Sequence, residues 1–432
     1  MFSPMFQLLS LLLTLPTASA ASLEEAWAAA EEGGTELRMV KEQRVQAETV
    51  KVQAWSLLSP KLVLGGTYTI NEYEIAIDFA EMIPEEFQDF IEAGEPIVVN
   101  KKEYLAWNAS VIQPLFSGQA LPLFSGATQM VRASRLDETA QRANVRTGIA
   151  QAYYGVVVAR EAVGLAERAL AHAKKHQSLA NQQVDVGLAP PTAKLQAEIG
   201  VSRTERSLAA ARQGKGTAEE ALARLTGWPI DTPVALPAER ALPYTTRDIA
   251  EERAQSHRPE IQSAEHMARA AKYGRAAANL AWLPTLDGRF TWSYNENTGF
   301  SDDKDMWQVV FMADWVLWDG GARIAQQQKR ASEARMAGLA AERVRETTNE
   351  QVRSAWGAYE SAKVALASVE REVELSKENL RLVEVGFAAG SLSFLEVEDA
   401  RVGLLSAELG ALQERTTRDL AALTLLAATG DL

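Results

Sequence analysis

Residues 118–188 read GQALPLFSGATQMVRASRLDETAQRANVRTGIAQAYYGVVVAREAVGLAERALAHAKKHQSLANQQVDVGL, and the fold turns on how this stretch is read. Past Pro122 it contains no proline, and Ala, Arg, Gln, Glu, Leu and Val dominate. The pattern predicts one helix running from just after Gly118 to about Val186, with a turn at Gly187. At about 1.5 Å per residue such a helix spans about 100 Å, roughly three times the core of a bilayer. A helix of that length does not fit inside a compact globule. Residues 320–390 repeat its length and texture, again opening just after a glycine-containing turn.

Working outward, each long stretch follows two period-two segments and leads, past a glycine, into a shorter helical stretch. Before the first lies Ser22-Leu23-Glu24-Glu25, a capping box that opens a helix reaching about Leu58, where Pro60 stops it. Leu62, Leu64, Tyr68 and Ile70 then alternate with Val63, Gly65, Thr67 and Thr69, and Leu105, Trp107, Ala109 and Val111 with Ala106, Asn108, Ser110 and Ile112. Period two with one apolar face predicts half-buried strands. The acidic residues 81–95 between them read as an exposed loop, and Pro114-Leu115-Phe116-Ser117-Gly118 as the end of the second strand. After Gly187 a helix is expected from Thr192 to about Thr226, then a proline-rich linker at 229–243. The second half repeats the order: a helix from about Thr246 to Ala281, strands at 286–294 and 307–315, the second long helix, and a last helix ending at Thr429-Gly430. Gly187 and Gly390 are 203 residues apart, as are Gly227 and Gly430. This spacing points to an internal duplication.

The geometry of such elements is restrictive. The two shorter helices of each half, laid end to end, match one long helix and bury a seam with coiled-coil-like contacts. Strands of about ten residues cross a bilayer when tilted, and their alternation suits lipid on one side and water on the other. Four strands cannot close a barrel, and open edges are not tolerated in lipid. At least two chains must therefore share one barrel. The expected fold class is mixed and mainly α: a long helical barrel or coiled coil plus four membrane strands per chain.

Composition narrows the function. With 44 Lys+Arg against 57 Asp+Glu the net charge is −13, which argues against a nucleic-acid partner. The chain has no cysteine, excluding thiol catalysis, thiolate metal sites and disulfides. Residues 1–20 read as a secretory signal, with an apolar run from Leu8 to Leu15 before Ala18-Ser19-Ala20, although Met1 to Gln7 carries no Lys or Arg. No other segment has the unbroken apolar run of a membrane helix. The expected organisation is signal peptide 1–20, first repeat 21–228, linker 229–243 and second repeat 244–432.

Taken together, the chain resembles the TolC-like outer-membrane efflux proteins over essentially all of residues 22–432. The resemblance rests on the duplicated layout, on Gln113-Pro114-Leu115-Phe116-Ser117-Gly118 and Val316-Leu317-Trp318-Asp319-Gly320-Gly321 at the strand-to-helix junctions, and on Val186-Gly187-Leu188 at the first hairpin tip. Leu195-Gln196-Ala197-Glu198 and Leu222-Ala223-Arg224-Leu225-Thr226-Gly227 also look like that family's helix. The resemblance implies a homotrimer with a twelve-stranded barrel in outer-membrane lipid and a long periplasmic extension. It implies an exit duct for an inner-membrane pump (RND or ABC type), joined through a periplasmic adaptor. Adaptor docking would fall on Val186, Gly187 and Leu188 and on Ala389, Gly390 and Ser391. A periplasmic aperture of acidic residues would fall on Glu396 and Asp399, which at i and i+3 share a helix face. Ala193 stands where the first repeat would match Glu396, and Leu392 where some relatives carry a basic residue. Many relatives have a lipidated N-terminal cysteine; here anchoring is expected from the barrel alone.

Other readings of the same residues stand beside these. Glu396 with Ser393 also fits a capping box. His172 and His176, at i and i+4, have a metal-compatible spacing but no third ligand, and read as an exposed helix face. Gly214-Lys215-Gly216-Thr217 lacks the earlier glycine of a phosphate loop and reads as a helix irregularity. Trp107, Trp292, Tyr294, Trp307, Trp315 and Trp318 stand at strand ends in a chain only 7% aromatic, which favours membrane girdles over core. No nucleophile–base pair, metal cluster or cofactor loop is evident, so neither an enzyme nor a cofactor is expected. A barrel-anchored periplasmic tether or adhesin is the alternative to a duct, and needs neither lumen nor acidic constriction.

Overall fold

The computed structural model describes residues 20–78, 96–187, 190–301, 303–389 and 391–432. The secretory signal, the acidic 81–95 segment, Leu188 and Gly390 lie outside them, apart from Ala20. Among the described residues fourteen elements follow one another: α1 (Leu23–Gly33), α2 (Thr35–Ser56), β1 (Lys61–Ile70), β2 (Ile75–Ile77), β3 (Ile97–Asn100), β4 (Glu103–Phe116), α3 (Ala120–Asp185), α4 (Pro191–Thr226), α5 (Arg247–His257), α6 (Pro259–Leu280), β5 (Thr285–Asn295), β6 (Asp305–Asp314), α7 (Ala322–Ala388) and α8 (Phe394–Thr429). The long helices have 66 and 67 residues, and α4 and α8 have 36 each.

The first helix of each half is broken, where the sequence pattern suggested one continuous helix. In both halves the pieces are 11 and 22 residues long. At Gly34 the backbone is extended (φ −64°, ψ 129°), and its amide closes α1 on Ala30 O at 2.9 Å. A Cβ here would sit 2.4 Å from Ala30 O, so the break needs glycine. At Arg258 (φ −67°, ψ 119°) the cause is Pro259, which disfavours helical geometry in the residue before it. The short β2 and β3, which flank the 81–95 segment and have no counterpart in the sequence pattern, pair with each other. Strand β4 ends at Phe116, within the residues 114–118 read as its end, and it accommodates Pro114 because the proline sits beside a register shift that relieves the ladder of its missing amide.

Contacts divide the chain into two units. One comprises residues 44–135 and 262–342 and holds an antiparallel sheet in the order β1-β4-β5-β6. Leu64, Ala109, Trp292 and Trp307 lie in one register row, and Gly66, Trp107, Tyr294 and Asp305 in another on the same face. The opposite face carries Thr67, Asn108, Ser110, Thr291, Ser293 and Gln308, since successive residues of a strand point to opposite sides. Ser110 Oγ and Thr291 Oγ1 meet there at 3.1 Å. Strands β1 and β6 form the two edges.

The other unit comprises residues 1–43, 136–261 and 343–432. Its core gathers Leu23 and Trp27 of α1, Ile149, Tyr153 and Tyr154 of α3, and Leu423 of α8. A second cluster joins Tyr244, Ala250 and Ala254 to Val352 of α7 and Leu425 of α8. Tyr153 fastens two chain segments to α3: its hydroxyl lies 2.6 Å from both Ala21 O and Ala235 O, and accepts from Ala235 N at 3.1 Å. Ala21 also forms a parallel bridge with Val234. Tyr153→Phe keeps the ring but removes the hydroxyl that these part-buried backbone groups share. It is expected to cost about 1–2 kcal/mol, read as an earlier midpoint in chemical denaturation with an unchanged slope.

Candidate functional site

The hairpin ends of the helical unit carry most of the residues singled out from the sequence. Helix α3 ends at Asp185, and Val186 N donates to Gln182 O (3.1 Å) and Gly187 N to Val184 O (3.0 Å). Gly187 adopts φ 76°, the left-handed conformation that favours glycine, and Val186 is exposed beside it. At the second tip Ala389 N donates to Val385 O at 3.0 Å. Ser391 donates through both its amide (3.0 Å) and its hydroxyl (2.9 Å) to Gly386 O. Leu392 folds back over Gly386 so closely that a Cβ there would lie 2.6 Å from Leu392 Cδ1.

Helix α8 starts immediately beyond. Ser393 and Glu396 form a reciprocal capping box: Glu396 Oε2 accepts from Ser393 N (2.6 Å) and Ser393 Oγ (2.8 Å), and Glu396 N donates to Ser393 Oγ (3.4 Å). The Ser393 amide, and then its hydroxyl, hold the Glu396 carboxyl below the usual glutamate range. Glu396 and Asp399 are both exposed and line one groove of about 380 Å³ with Ser376, Asn379, Val383 and Leu392. The geometry therefore brings the two carboxylates together, and the capping role coexists with their exposure.

One residue pair escaped the sequence reading. His172, taken as part of an exposed face, lies 3.2 Å from the buried Glu398. Its only local signal was the metal-like spacing to His176, and among the described residues no three His, Cys, Asp or Glu side chains could hold a metal ion. Gly214 to Thr217 lies inside α4, with Lys215 3.6 Å from Glu219, and forms no phosphate loop.

In the sheet unit the aromatic residues fall at two levels. Trp107 meets Trp292 edge to face at 4.5 Å and Tyr294 at 6.0 Å, and Phe290 stacks on Trp307 at 6.5 Å. At the junction end Trp315 donates through Nε1 to Trp282 O (3.0 Å), and Trp318 is exposed. Trp315 stands eight positions after Trp307, just past the end of β6, which is about 20 Å of height once tilted. Among the described residues no helix is long and apolar enough to cross a membrane, which says nothing of the strands.

Residues 99–228 and 251–431 match the family model described as "Outer membrane efflux protein". The outer membrane efflux protein BepC of Brucella suis biovar 1 (strain 1330) is 25% identical over 309 residues, 69% of this chain and 68% of that protein. The outer membrane channel CmeC of Campylobacter jejuni has a similar fold, with a TM-score of 0.77 at 15% identity over 95% of this chain and 85% of its own. The open state of the MtrE outer membrane channel of Neisseria gonorrhoeae gives a TM-score of 0.73 at 21% identity, over 94% and 88% of the two chains.

Proposed function

The chain belongs to the outer membrane efflux protein family, and from that premise we propose that it is the trimeric exit duct of a tripartite efflux or type I secretion assembly. One observation carries the reading: a four-stranded sheet with one apolar face and, among the described residues, two unpaired edges, β1 and β6. Unpaired strand edges are not stable in lipid. Pairing β6 of one copy with β1 of the next closes twelve strands in a homotrimer, the apolar face toward lipid and the Thr/Asn/Ser face toward water. Trp107, Trp292, Tyr294 and Trp307 form the outer aromatic girdle, and Trp315 and Trp318 the inner one.

The duct is passive. A periplasmic adaptor contacts the hairpin tips around Val186–Leu188 and Ala389–Ser391, and an inner-membrane pump (RND or ABC type) supplies the energy. Opening follows because the adaptor binds the splayed helices more tightly than the closed ones; only that difference in affinity shifts the equilibrium. Three copies of Glu396 and Asp399 narrow the resting end and favour cations over anions.

Single-channel conductance of the purified protein in a planar bilayer, beside a Glu396→Ala/Asp399→Ala variant, tests this. The wild type is expected to pass a small cation-selective current. The variant is expected to pass several-fold more and to lose most of its selectivity. An unchanged current moves the aperture elsewhere. Inserted oligomers of both proteins that never conduct would favour the tether or adhesin.

A further inference from the structure

Glu398 lies between Glu396 and Asp399 in sequence but on the inner side of α8, its side chain only 8% exposed. Burying an ionised carboxylate is costly unless other charges and hydrogen bonds answer it. Arg401, one turn along, reaches Oε1 at 3.2 Å and also bonds Glu384 of α7 at 2.8 Å. Oε2 makes no hydrogen bond among the described residues; it lies 3.2 Å from Nδ1 of His172 on α3. The four side chains thus link α7, α8 and α3 where α8 begins.

Counting charge over the four gives the device. With a neutral imidazole, two carboxylates face one guanidinium, leaving one net negative charge on a group centred on a buried oxygen. With an imidazolium the cluster is neutral, and Oε2 gains a partner. We propose that His172, Glu398 and Arg401 form a proton-operated brace that pins the first turns of α8 to α3. The brace tightens when the imidazole takes up a proton and slackens when it gives that proton up. Neighbouring charges leave the imidazole to this role. On α3, Arg168 is paired with Glu161 (3.0 Å), and Lys174 lies 3.7 Å from Glu205 of α4, with Lys175 and His176 following. From α8 the facing groups are Glu398 and Arg401, and α7 contributes Glu384 through Arg401.

The functional consequence rests on the duct reading, because Glu396 and Asp399 ride on the same first turns of α8. Acidification would hold the aperture shut, and a neutral or alkaline periplasmic face would ease its opening.

The test measures amide hydrogen exchange of residues 394–402 and single-channel conductance at pH 5.5 and 7.5, on the intact oligomer. After correction for intrinsic exchange, wild-type protection is expected to be roughly threefold to tenfold higher at pH 5.5, with a smaller resting conductance. His172→Gln should remove both differences. His172→Arg, which keeps a cation at every pH, should restore protection at both values. Equal pH dependence in wild type and His172→Gln would overturn the brace, as would an arginine variant no better protected than the glutamine one. If protection follows residue 172 while every protein stays electrically silent, the brace stands and the duct reading fails.

Discussion

Phe311→Arg is expected to abolish stable insertion of the assembly, while Gln308→Arg, three residues earlier on the same strand, is expected to insert normally. Phe311 is 76% exposed in the single chain, on the apolar face of β6 and midway between Trp307 and Trp315. Its ring lies over Gly288 of β5, about 3.6 Å from where a Cβ would stand. An arginine at the lipid-facing midplane of a barrel costs about 2–4 kcal/mol. Three identical chains meet that cost three times over, roughly 6–12 kcal/mol in all, comparable with the whole stability of an ordinary domain. Gln308 pairs with Thr291 on the polar face, where a cation stays in water. The measurement is the share of each variant recovered as oligomer in the outer-membrane fraction after a urea wash. Recovery of Phe311→Arg with loss of Gln308→Arg would mean that the faces are assigned the wrong way round, and equal recovery of the two that the sheet does not cross lipid.

The strands could be read from sequence because their two faces meet different solvents, and a strict alternation leaves a period-two trace in Leu62–Ile70 and Trp307–Trp315. The long helices were equally plain, since nothing between Pro122 and Gly187 interrupts the pattern. The breaks at Gly34 and Arg258 were not. One extended residue between two helices leaves the flanking periodicity nearly intact, and a lone glycine in a helical pattern is often tolerated. Pro259 was a visible signal that the apolar pattern on either side outweighed. Strands β2 and β3, of three and four residues, are too short to show any period. At the hairpin end, Glu396 and Asp399 share a groove as their spacing suggested, because i and i+3 on a helix fix a common face. Glu398 was invisible for the converse reason. Its burial depends on His172, more than two hundred residues away in sequence, and no local spacing encodes such a contact.

The same limit hid the charge pair whose loss should cost the helical unit most. Arg418 and Asp419 of α8 are adjacent, and their side chains are only 10% and 5% exposed. Arg418 donates to Asp419 Oδ1 (2.9 Å) and to Glu239 (2.6 Å), while Asp419 Oδ2 makes no hydrogen bond among the described residues. Burial pushes the Asp419 carboxyl above the usual aspartate range, and the Arg418 charge works against that rise. Burial, with Asp419 next in weight, also raises the neighbouring Tyr154 hydroxyl. Removing one partner of a buried pair leaves the other uncompensated, so Arg418→Ala is expected to cost about 3–5 kcal/mol near pH 7. Asp419→Asn in the same background should recover much of it, since the stranded charge rather than the lost contact is the main penalty. The pH dependence has a definite sign. A carboxyl raised in the folded state binds its proton more tightly there than when unfolded, so folding gains as pH falls through the raised value. The Arg418→Ala deficit should therefore be smaller at pH 5 than at pH 7, because the variant gains stability as Asp419 takes up its proton, whereas the deficit of an ordinary broken salt bridge shrinks because the wild type loses its pair. Denaturant unfolding of the four proteins of this double-mutant cycle at both pH values decides it. A deficit under about 1 kcal/mol, or one that Asp419→Asn fails to reduce, would show that water reaches Asp419 and that the pair is an ordinary surface contact.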